Sequence, residues 1–281
     1  PNHPMTRRQK RECGVALHQT LRALGLVTGG EHGIWWAAPS IDYIEGMQSG
    51  GYASWPAGYL MHPTNKWQAF TYPSGQKTGP WSNYEAWGLG HVWRAPLWEL
   101  VFHDAVVSTW YWGDASDFLL DAAPETVAKK NAFNILYGTM PLLWADRGGS
   151  WQKDRETFLR TVREVCKWHE QVATADLLSH EFLGADHGLQ RTRFSGGFAA
   201  TVNFGPGPMN VVTCGREWRL AQNGYVAAGP GFRQSRALEE GREVVRIQSP
   251  TYQGIEEDGA RLEISVIGEG RLRVTRRPAR K

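Results

Sequence analysis

The chain has 281 residues, of which 41% are hydrophobic and 21% are charged, and its formal net charge is +3 at pH 7. This composition is typical of a soluble globular protein, and no apolar run approaches the roughly 20 residues that a membrane-spanning helix needs. The basic residues are dispersed except in RVTRRPARK at the C-terminus, which we interpret as a solvated end rather than a nucleic-acid-binding arm.

The first predicted elements are a helix and a short strand. The chain begins at Pro1 with no signal peptide, so we expect upstream residues to be missing or processed away. Thr6 can cap a helix that runs to about Ala23. LVTG, residues 26–29, predicts a buried strand, with Glu31 just past its C-terminal end. This order is typical of a (β/α) barrel, where functional residues collect at the C-terminal strand ends.

The same pattern recurs further along the chain. Residues 98–114 are predicted to open as a buried strand that ends at His103 and Asp104. Residues 132–144 form a helix or a strand. Residues 47–93 are rich in Gly, Pro, Ser and Trp, which predicts a long functional loop, because its aromatic content argues against disorder.

In the second half of the chain the residue pattern changes from helical periodicity to short strand-like runs. Asp154 is predicted to cap an amphipathic helix whose apolar stripe is core. Beyond about residue 176, short apolar runs alternate with turn residues, which predicts an antiparallel β-sandwich. The predicted fold is therefore α/β plus all-β: residues 1–175 form the C-terminal portion of a (β/α)8 barrel, and residues 176–281 form the sandwich.

Tryptophan and cysteine usage bear on function and compartment. Most of the 14 tryptophans lie between Trp35 and Trp151, a density that favours stacking platforms in a binding cleft over core fillers alone. The three cysteines are far apart and lack metal-ligand spacing. They favour reduced thiols over a disulfide scaffold, and with them a soluble, cytoplasmic protein.

No phosphate-binding loop, dinucleotide fingerprint, G-x-S-x-G, H-E-x-x-H or C-x-x-C motif occurs. Glu31 is the leading catalytic candidate. It is either an exposed loop carboxylate or a carboxyl desolvated by Trp35 and Trp36, and a desolvated carboxyl can hold the proton that a glycosidic general acid donates. The other polar residues in aromatic surroundings are His32, Asp42, Glu45, His103, Asp104 and Asp114.

Each of these residues has a structural alternative. His103 and Asp104 either form a hydrogen-bonded pair that closes a strand or hold sugar hydroxyls, and Asp104 could bind a hard cation such as Ca²⁺. Asp42, at another predicted strand exit, is the better site candidate, and Glu45 is interpreted as a structural residue. Asp114 either caps the next segment or lines the cleft with Trp110 and Trp112.

Several segments are specific in their order along the chain: NHPMTRRQ, GGEHGIWW, IDYIEGMQS, ELVFHDAVVSTWYWGD, NILYGTMPLLW, and VNFGP followed by GYVAAGPGF. In these segments, which extend from residue 2 to about residue 232, the chain resembles the catalytic region of glycoside hydrolases related to families 101 and 129. Those are the endo- and exo-α-N-acetylgalactosaminidases and their bacterial relatives.

The resemblance implies a retaining enzyme built on a (β/α) barrel followed by a β-sandwich. The family's general acid/base is a glutamate at a strand end, which GGEHGIWW places at Glu31, and its active-site tryptophan matches Trp35. The family's nucleophile is an aspartate on the preceding strand. That position falls at or before Pro1, so we expect the nucleophile upstream, on missing residues or on a partner chain.

The sequence thus predicts an α-N-acetylgalactosaminidase-like glycosidase, or the part of one that carries the general acid/base. Trp35 and Trp36 would stack on the sugar, and His103 and Asp104 would hold hydroxyls or the N-acetyl group. A non-catalytic carbohydrate-binding or scaffold subunit and an unrelated aromatic-rich binding module remain alternatives. No motif requires a cofactor. We expect a carbohydrate substrate and an upstream or partner segment, with neither nucleic acid nor membrane as a partner.

Overall fold

Helix α1, Arg7–Ala23, opens the fold and confirms the predicted helix. Thr6 is its N-cap: the Gln9 backbone N–H donates to the Thr6 hydroxyl over 3.2 Å, and the Gln9 side-chain oxygen accepts from the Thr6 N–H over 2.8 Å. Such a reciprocal pair satisfies two backbone donors that the first turn leaves without intrahelical partners. The computed structural model describes residues 4–31, 35–48, 86, 89–111, 123–143, 150–268 and 270–279.

Three strands form a small parallel sheet in the order β1-β2-β3. They are β1, Gly29–Glu31, β2, Tyr43–Gln48, and β3, Val107–Tyr111. A single parallel bridge joins Thr109 of β3 to Met140, so Met140 pairs with the sheet next to β3 at one residue. The connections contain a 3₁₀ helix, Trp35–Ser40, and the short helix α2, Glu99–Phe102.

The predicted buried strand at residues 26–29 is wrong. Leu26 and Val27 are 53% and 82% exposed, and β1 begins only at Gly29 and includes Glu31. Among the described residues β1 pairs with β2 alone.

The predicted strand end at His103 and Asp104 is also wrong. Residues 99–102 form α2, whose last turn places His103 at the C-cap. The inward-facing residues of α2 follow helical rather than alternating spacing, because Glu99 and Phe102 turn inward while Leu100 and Val101 are exposed. The strand of this region starts later, at Val107.

Three further helices precede the large sheet. Helix α3, Thr126–Tyr137, ends at Gly138, which has a left-handed φ of 71° and settles the choice between helix and strand there. Asp154, the predicted cap, has non-helical dihedral angles (φ −113°, ψ 15°) at a kink inside α4, where two helical segments meet, and its capping role stays a prediction. The other two elements are α4, Ser150–Thr161, and α5, Lys167–Val172, joined by a π-helical turn, Val162–Cys166. No helix of the described part is long and apolar enough to cross a membrane.

The C-terminal region is antiparallel, as predicted. Nine strands form one sheet in the order β14-β13-β12-β11-β10-β9-β6-β5-β4, and β7 and β8 form a separate hairpin. The strands are β4 Leu177–Leu183, β5 Leu189–Phe194, β6 Phe198–Asn203, β7 Met209–Thr213, β8 Arg216–Leu220, β9 Gly224–Gly229, β10 Phe232–Glu239, β11 Arg242–Gln248, β12 Tyr252–Glu257, β13 Ala260–Val266 and β14 Leu272–Arg277.

The large sheet is covered on both faces, but unequally. Val211 and Trp218 of the hairpin pack against Val226 and Ala237 on one face, so the second layer of the sandwich is a hairpin there. On the other face, α3 and α5 share one core with the sheet. Trp168 of α5 is fully buried, and its ring packs on three phenylalanine rings, those of Phe194, Phe198 and Phe232. The domain boundary near residue 175 stays a prediction.

Candidate active site

The C-terminal edge of the parallel sheet holds the candidate acid. Glu31 is the last residue of β1 and is the in-register partner of Glu45 on β2. Neighbouring strands lie about 4.8 Å apart, and in-register residues of parallel strands point to the same face. Two carboxyl groups therefore share one face of the sheet. The alternation of residues along β2 does not show which residue of β1 each one pairs with. For this reason Glu45 was predicted from the sequence to be structural.

The two faces of β2 have different surroundings. Ile44 is buried in a cluster with Ala37, Ala38, Ile41 and Val106, against which Trp98 and Phe102 of the α2 region pack. Since side chains alternate along a strand, Tyr43 and Glu45 occupy the opposite face. Burial raises the pKa of the Tyr43 hydroxyl, which a hydrogen bond with Thr109 of β3 partly offsets. Glu31, Tyr43 and Glu45 thus line the face away from the helices.

The two tryptophans after Glu31 have different environments. Trp35 starts the 3₁₀ helix and is 65% exposed, so its ring can serve as a platform for a ligand. Trp36 is half-buried and packs against the Ile44 cluster, and its ring lies 3.5 Å from where a Cβ on Gly14 of α1 would stand. Trp36 therefore joins α1 to the 3₁₀ helix. Glu31 is exposed, so the predicted desolvation of its carboxyl by the tryptophans is wrong.

Asp42 lies at the start of β2, at the edge of the sheet opposite Glu31, so its predicted place at a strand exit is wrong. Its carboxylate accepts from the Thr28 backbone N–H over 2.8 Å and from the Thr28 hydroxyl over 2.9 Å. Arg22 lies 3.4 Å away. The Thr28 backbone hydrogen bond is the main cause that lowers the pKa of Asp42. Asp42 thus ties the start of β2 to the residue before β1.

His103 is buried, with both ring nitrogens beside backbone carbonyls. Nδ1 lies 2.7 Å from the Ala175 oxygen and Nε2 lies 3.3 Å from the Gly138 oxygen, which also faces His169 Nδ1 at 2.7 Å. Burial lowers the pKa of His103. No ring nitrogen remains for a sugar hydroxyl, so His103 takes the structural alternative. Asp104 beside it is exposed.

The remaining candidates can be placed only in part. His32, Trp112, Asp114 and most of the loop at residues 47–93 lie outside the described residues. Within the described ranges, no group of three or more His, Cys, Asp or Glu side chains could hold a metal ion. The Ca²⁺ role of Asp104 stays a prediction.

Comparison with protein families identifies the chain. Residues 1–193 match the model of glycosyl hydrolases related to the GH101 family, GH129. The chain belongs to this family. No curated protein matches.

Solved structures similar to this family member include enzymes from Bifidobacterium bifidum. They include a ligand-free α-N-acetylgalactosaminidase (22% identity, TM-score 0.43), covering 72% of this chain and 27% of that one. The same enzyme in complex with GalNAc gives 20% identity and a TM-score of 0.41, covering 71% and 26%. The chain thus spans about a quarter of the length of these solved chains.

A buried polar cluster behind β3 of this family member was missed in the sequence. The Arg94 guanidinium carbon lies 4.3 Å from the centroid of the Trp110 ring and 5.2 Å from that of Phe133. Glu99 of α2 is only 1% exposed, and burial raises the pKa of its carboxyl to about 7, against the opposing effect of Arg94. Tyr137 is fully buried in the same cluster, and burial also raises its pKa.

The sequence signal for this cluster is weak, because Glu99 sits in the apolar stretch APLWELVF, where a charged residue would ordinarily face solvent. Its near-complete burial keeps it from a substrate. Glu99 and Arg94 therefore support β3 from behind through Trp110.

Proposed function

We propose that this chain supplies the general acid/base and an aromatic platform of a retaining glycosidase that acts on α-N-acetylgalactosaminides. The observation that carries the proposal is the place of Glu31, at the C-terminal edge of parallel strands in a glycosyl hydrolase family member. In (β/α) barrels the catalytic residues come from this edge.

The parallel sheet would be part of the barrel wall. Its three strands follow chain order, and Met140 bridges to the last of them, as successive barrel strands do. The face with Glu31 and Glu45 would be the barrel interior. Since β1 pairs with β2 alone among the described residues, its other edge can accept a preceding strand. That strand would bring the aspartate nucleophile.

Glu31 would act twice in the reaction. In the first step the upstream aspartate attacks the anomeric carbon, and Glu31 gives its proton to the departing glycosidic oxygen. In the second step Glu31 takes a proton from the water that hydrolyses the glycosyl ester. Retaining enzymes need the two carboxyl groups about 5 Å apart, which matches the spacing of adjacent strands.

Other residues would bind the sugar. Trp35, which is exposed and follows Glu31 closely in the chain, would stack on the apolar face of the sugar. Trp112 and Asp114 follow β3 directly in the chain and would contact the sugar, whereas exposed Asp104 precedes β3, toward the edge opposite Glu31, and is left out. Trp36, Asp42 and His103 are left out, because packing and backbone hydrogen bonds already occupy them.

Leaving-group dependence tests the role of Glu31. Glu31→Gln, in the protein with its upstream segment, should lower kcat on an alkyl α-N-acetylgalactosaminide by about a hundredfold or more. A nitrophenyl substrate should lose less in the glycosylation step, because its leaving group needs little protonation. Equal losses on both substrates would contradict the acid role. Sugar binding without hydrolysis by the wild-type protein would instead support a non-catalytic carbohydrate-binding subunit.

A further inference from the structure

A second site lies on the large antiparallel sheet. A groove of about 540 Å³ runs beside the turn of the β7–β8 hairpin, and all of its lining residues fall between Arg191 and Arg233. Thr192 lies between the groove residues Arg191 and Arg193 on β5, and its hydroxyl donates to the Leu136 carbonyl of α3. Because neighbouring residues of a strand point to opposite faces, the groove lies on the face away from α3. None of its residues belongs to the parallel sheet.

The floor of the groove follows from strand register. Arg193 pairs with Ala199, Ala199 pairs with Ala228, and Ala228 pairs with Arg233. One straight row across four strands therefore has an arginine at each end and two alanines between them. Three strand spacings separate the end positions by about 14 Å, with no side chain larger than a methyl group in the gap. This trough is wide enough for a sugar ring.

A third arginine, Arg191, lies one pleat further along the same face. Its Nε donates to the Thr201 hydroxyl over 3.4 Å, and that hydroxyl lies 3.3 Å from the hydroxyl of Thr213, the last residue of β7 before the hairpin turn. Cys214 follows with a left-handed φ of 51°, which bends the chain into the turn. The hydrogen-bonded chain fixes the hairpin turn beside the trough and gives the groove a wall.

The groove carries excess positive charge. Arg193 has a carboxylate partner, Glu181, at 3.4 Å, whereas Arg191 and Arg233 form no ion pair within the part of the chain that the structure describes. Guanidinium groups match carboxylate and sulfate oxygens in paired hydrogen bonds, and the apolar face of a sugar ring can lie on small aliphatic side chains. A charged saccharide satisfies both parts of the groove, whereas a free inorganic anion uses only the charge.

We propose that this groove binds an anionic saccharide. Its sulfate or uronate groups pair with Arg193 and Arg233, and its ring lies over Ala199 and Ala228. The site is independent of the role of Glu31, because it takes no part in bond cleavage and its residues belong to the antiparallel sheet.

Calorimetric titration of the full-length protein tests the site with four probes of defined charge. They are a heparin-derived tetrasaccharide, a hyaluronan tetrasaccharide with carboxylates but no sulfate, neutral chitotetraose, and inorganic sulfate. We expect at least one charged saccharide to bind more tightly than chitotetraose and sulfate, and its Kd to rise with salt because the arginines are near the surface.

Two sets of variants locate the binding. Arg193→Gln with Arg233→Gln should weaken saccharide binding by about tenfold or more, and a double control at exposed arginines elsewhere, Arg219→Gln with Arg273→Gln, should leave it unchanged. Ala199→Leu keeps every charge and fills the trough, so it should weaken binding as well. Circular-dichroism melting of each variant confirms that the fold persists.

Three outcomes would overturn the proposal: no binding of either charged saccharide, equal losses in the arginine pair and its control, or full binding by Ala199→Leu. The last would mean a diffuse charge effect without a built site. Binding of inorganic sulfate as tightly as the saccharides would reject the saccharide as the ligand.

Discussion

Glu31 and Glu45 are in-register partners on β1 and β2, so their side chains emerge side by side on the face opposite the helices. A carboxyl group beside a proposed acid/base either contacts the substrate or orients its neighbour. Glu45→Gln should therefore lower kcat by about tenfold to a hundredfold without a change in thermal midpoint.

Asp42→Asn is the matched control at the opposite edge of the same strand. It removes the charge that receives two hydrogen bonds from Thr28, so it should cost about 1 kcal/mol of stability and leave kcat intact. If Glu45→Gln lowers the thermal midpoint while the activity per folded molecule stays unchanged, Glu45 is a structural residue.

Trp35 and Trp36 should respond differently to truncation. Trp35→Ala removes an exposed ring and should weaken sugar affinity with little change in stability, whereas Trp36→Ala opens the α1 contact and should destabilise the fold by about 2–3 kcal/mol. Denaturant unfolding and sugar titration on the same samples separate the effects. A collapse of the Trp35→Ala midpoint with normal affinity would show that Trp35 is core.

Gly138 should tolerate no side chain. A Cβ there would lie 2.6 Å from His103 Nε2 and 2.9 Å from the Phe194 ring, at a left-handed φ of 71°, so Gly138→Ala should cost about 3 kcal/mol or more. Gly25→Ala controls for the backbone alone, because Gly25 has a similar φ of 77° with no atom within 4 Å. That variant should cost about 1–2 kcal/mol. Equal losses in urea unfolding would contradict the clash with His103.

Glu99 should make stability depend on pH near neutrality. Its pKa is raised from 4.5 to about 7, so between those values the unfolded chain releases a proton that the folded chain retains. Stability from this group is full below pH 4.5 and falls as pH rises to about 7, by about 3 kcal/mol in total. Glu99→Gln should flatten this part of the curve. Urea unfolding at a series of pH values from 4 to 8 measures the unfolding free energy of both proteins. If that free energy changes with pH equally in the wild type and in Glu99→Gln, the prediction is contradicted.

The edge of β1 that pairs with no described strand should govern solubility. Leu17, Leu24, Leu26 and Val27, in α1 and the segment before β1, are more than half exposed. Residues 1–175 alone should therefore aggregate, and an upstream segment that pairs with β1 should restore both solubility and activity. Size-exclusion profiles and hydrolysis of an α-N-acetylgalactosaminide panel, with and without that segment, test both effects. A monomeric and active 281-residue chain would require a nucleophile within it, and Glu45 is the first carboxylate to test.

The sequence predicted best where local chemistry decides. The N-cap at Thr6 and the antiparallel strands beyond Leu177 follow from residue types at short range. The helix at Glu99–Phe102 was mistaken for a strand, because WELVF satisfies the apolar run of a buried strand as well as one turn of helix.

The candidate site depended on register, which a sequence does not display. The family resemblance pointed to Glu31, but Glu45 is its neighbour only through the pairing of β1 with β2. Asp42 and His103 were also predicted to be site residues. In the structure Asp42 is hydrogen-bonded to Thr28, and the ring nitrogens of His103 lie against the backbone oxygens of Ala175 and Gly138.

The burial of Trp168 limits where the chain can be recombined with a relative. Its ring lies among phenylalanines from β5, β6 and β10, and its Nε1 donates to the Ile135 carbonyl of α3 over 2.8 Å. A chimera that exchanges the strands alone between two relatives would set a foreign aromatic surface against this indole. Viable recombination junctions should therefore lie upstream of α3, so that α3, α5 and the strands are inherited as one block.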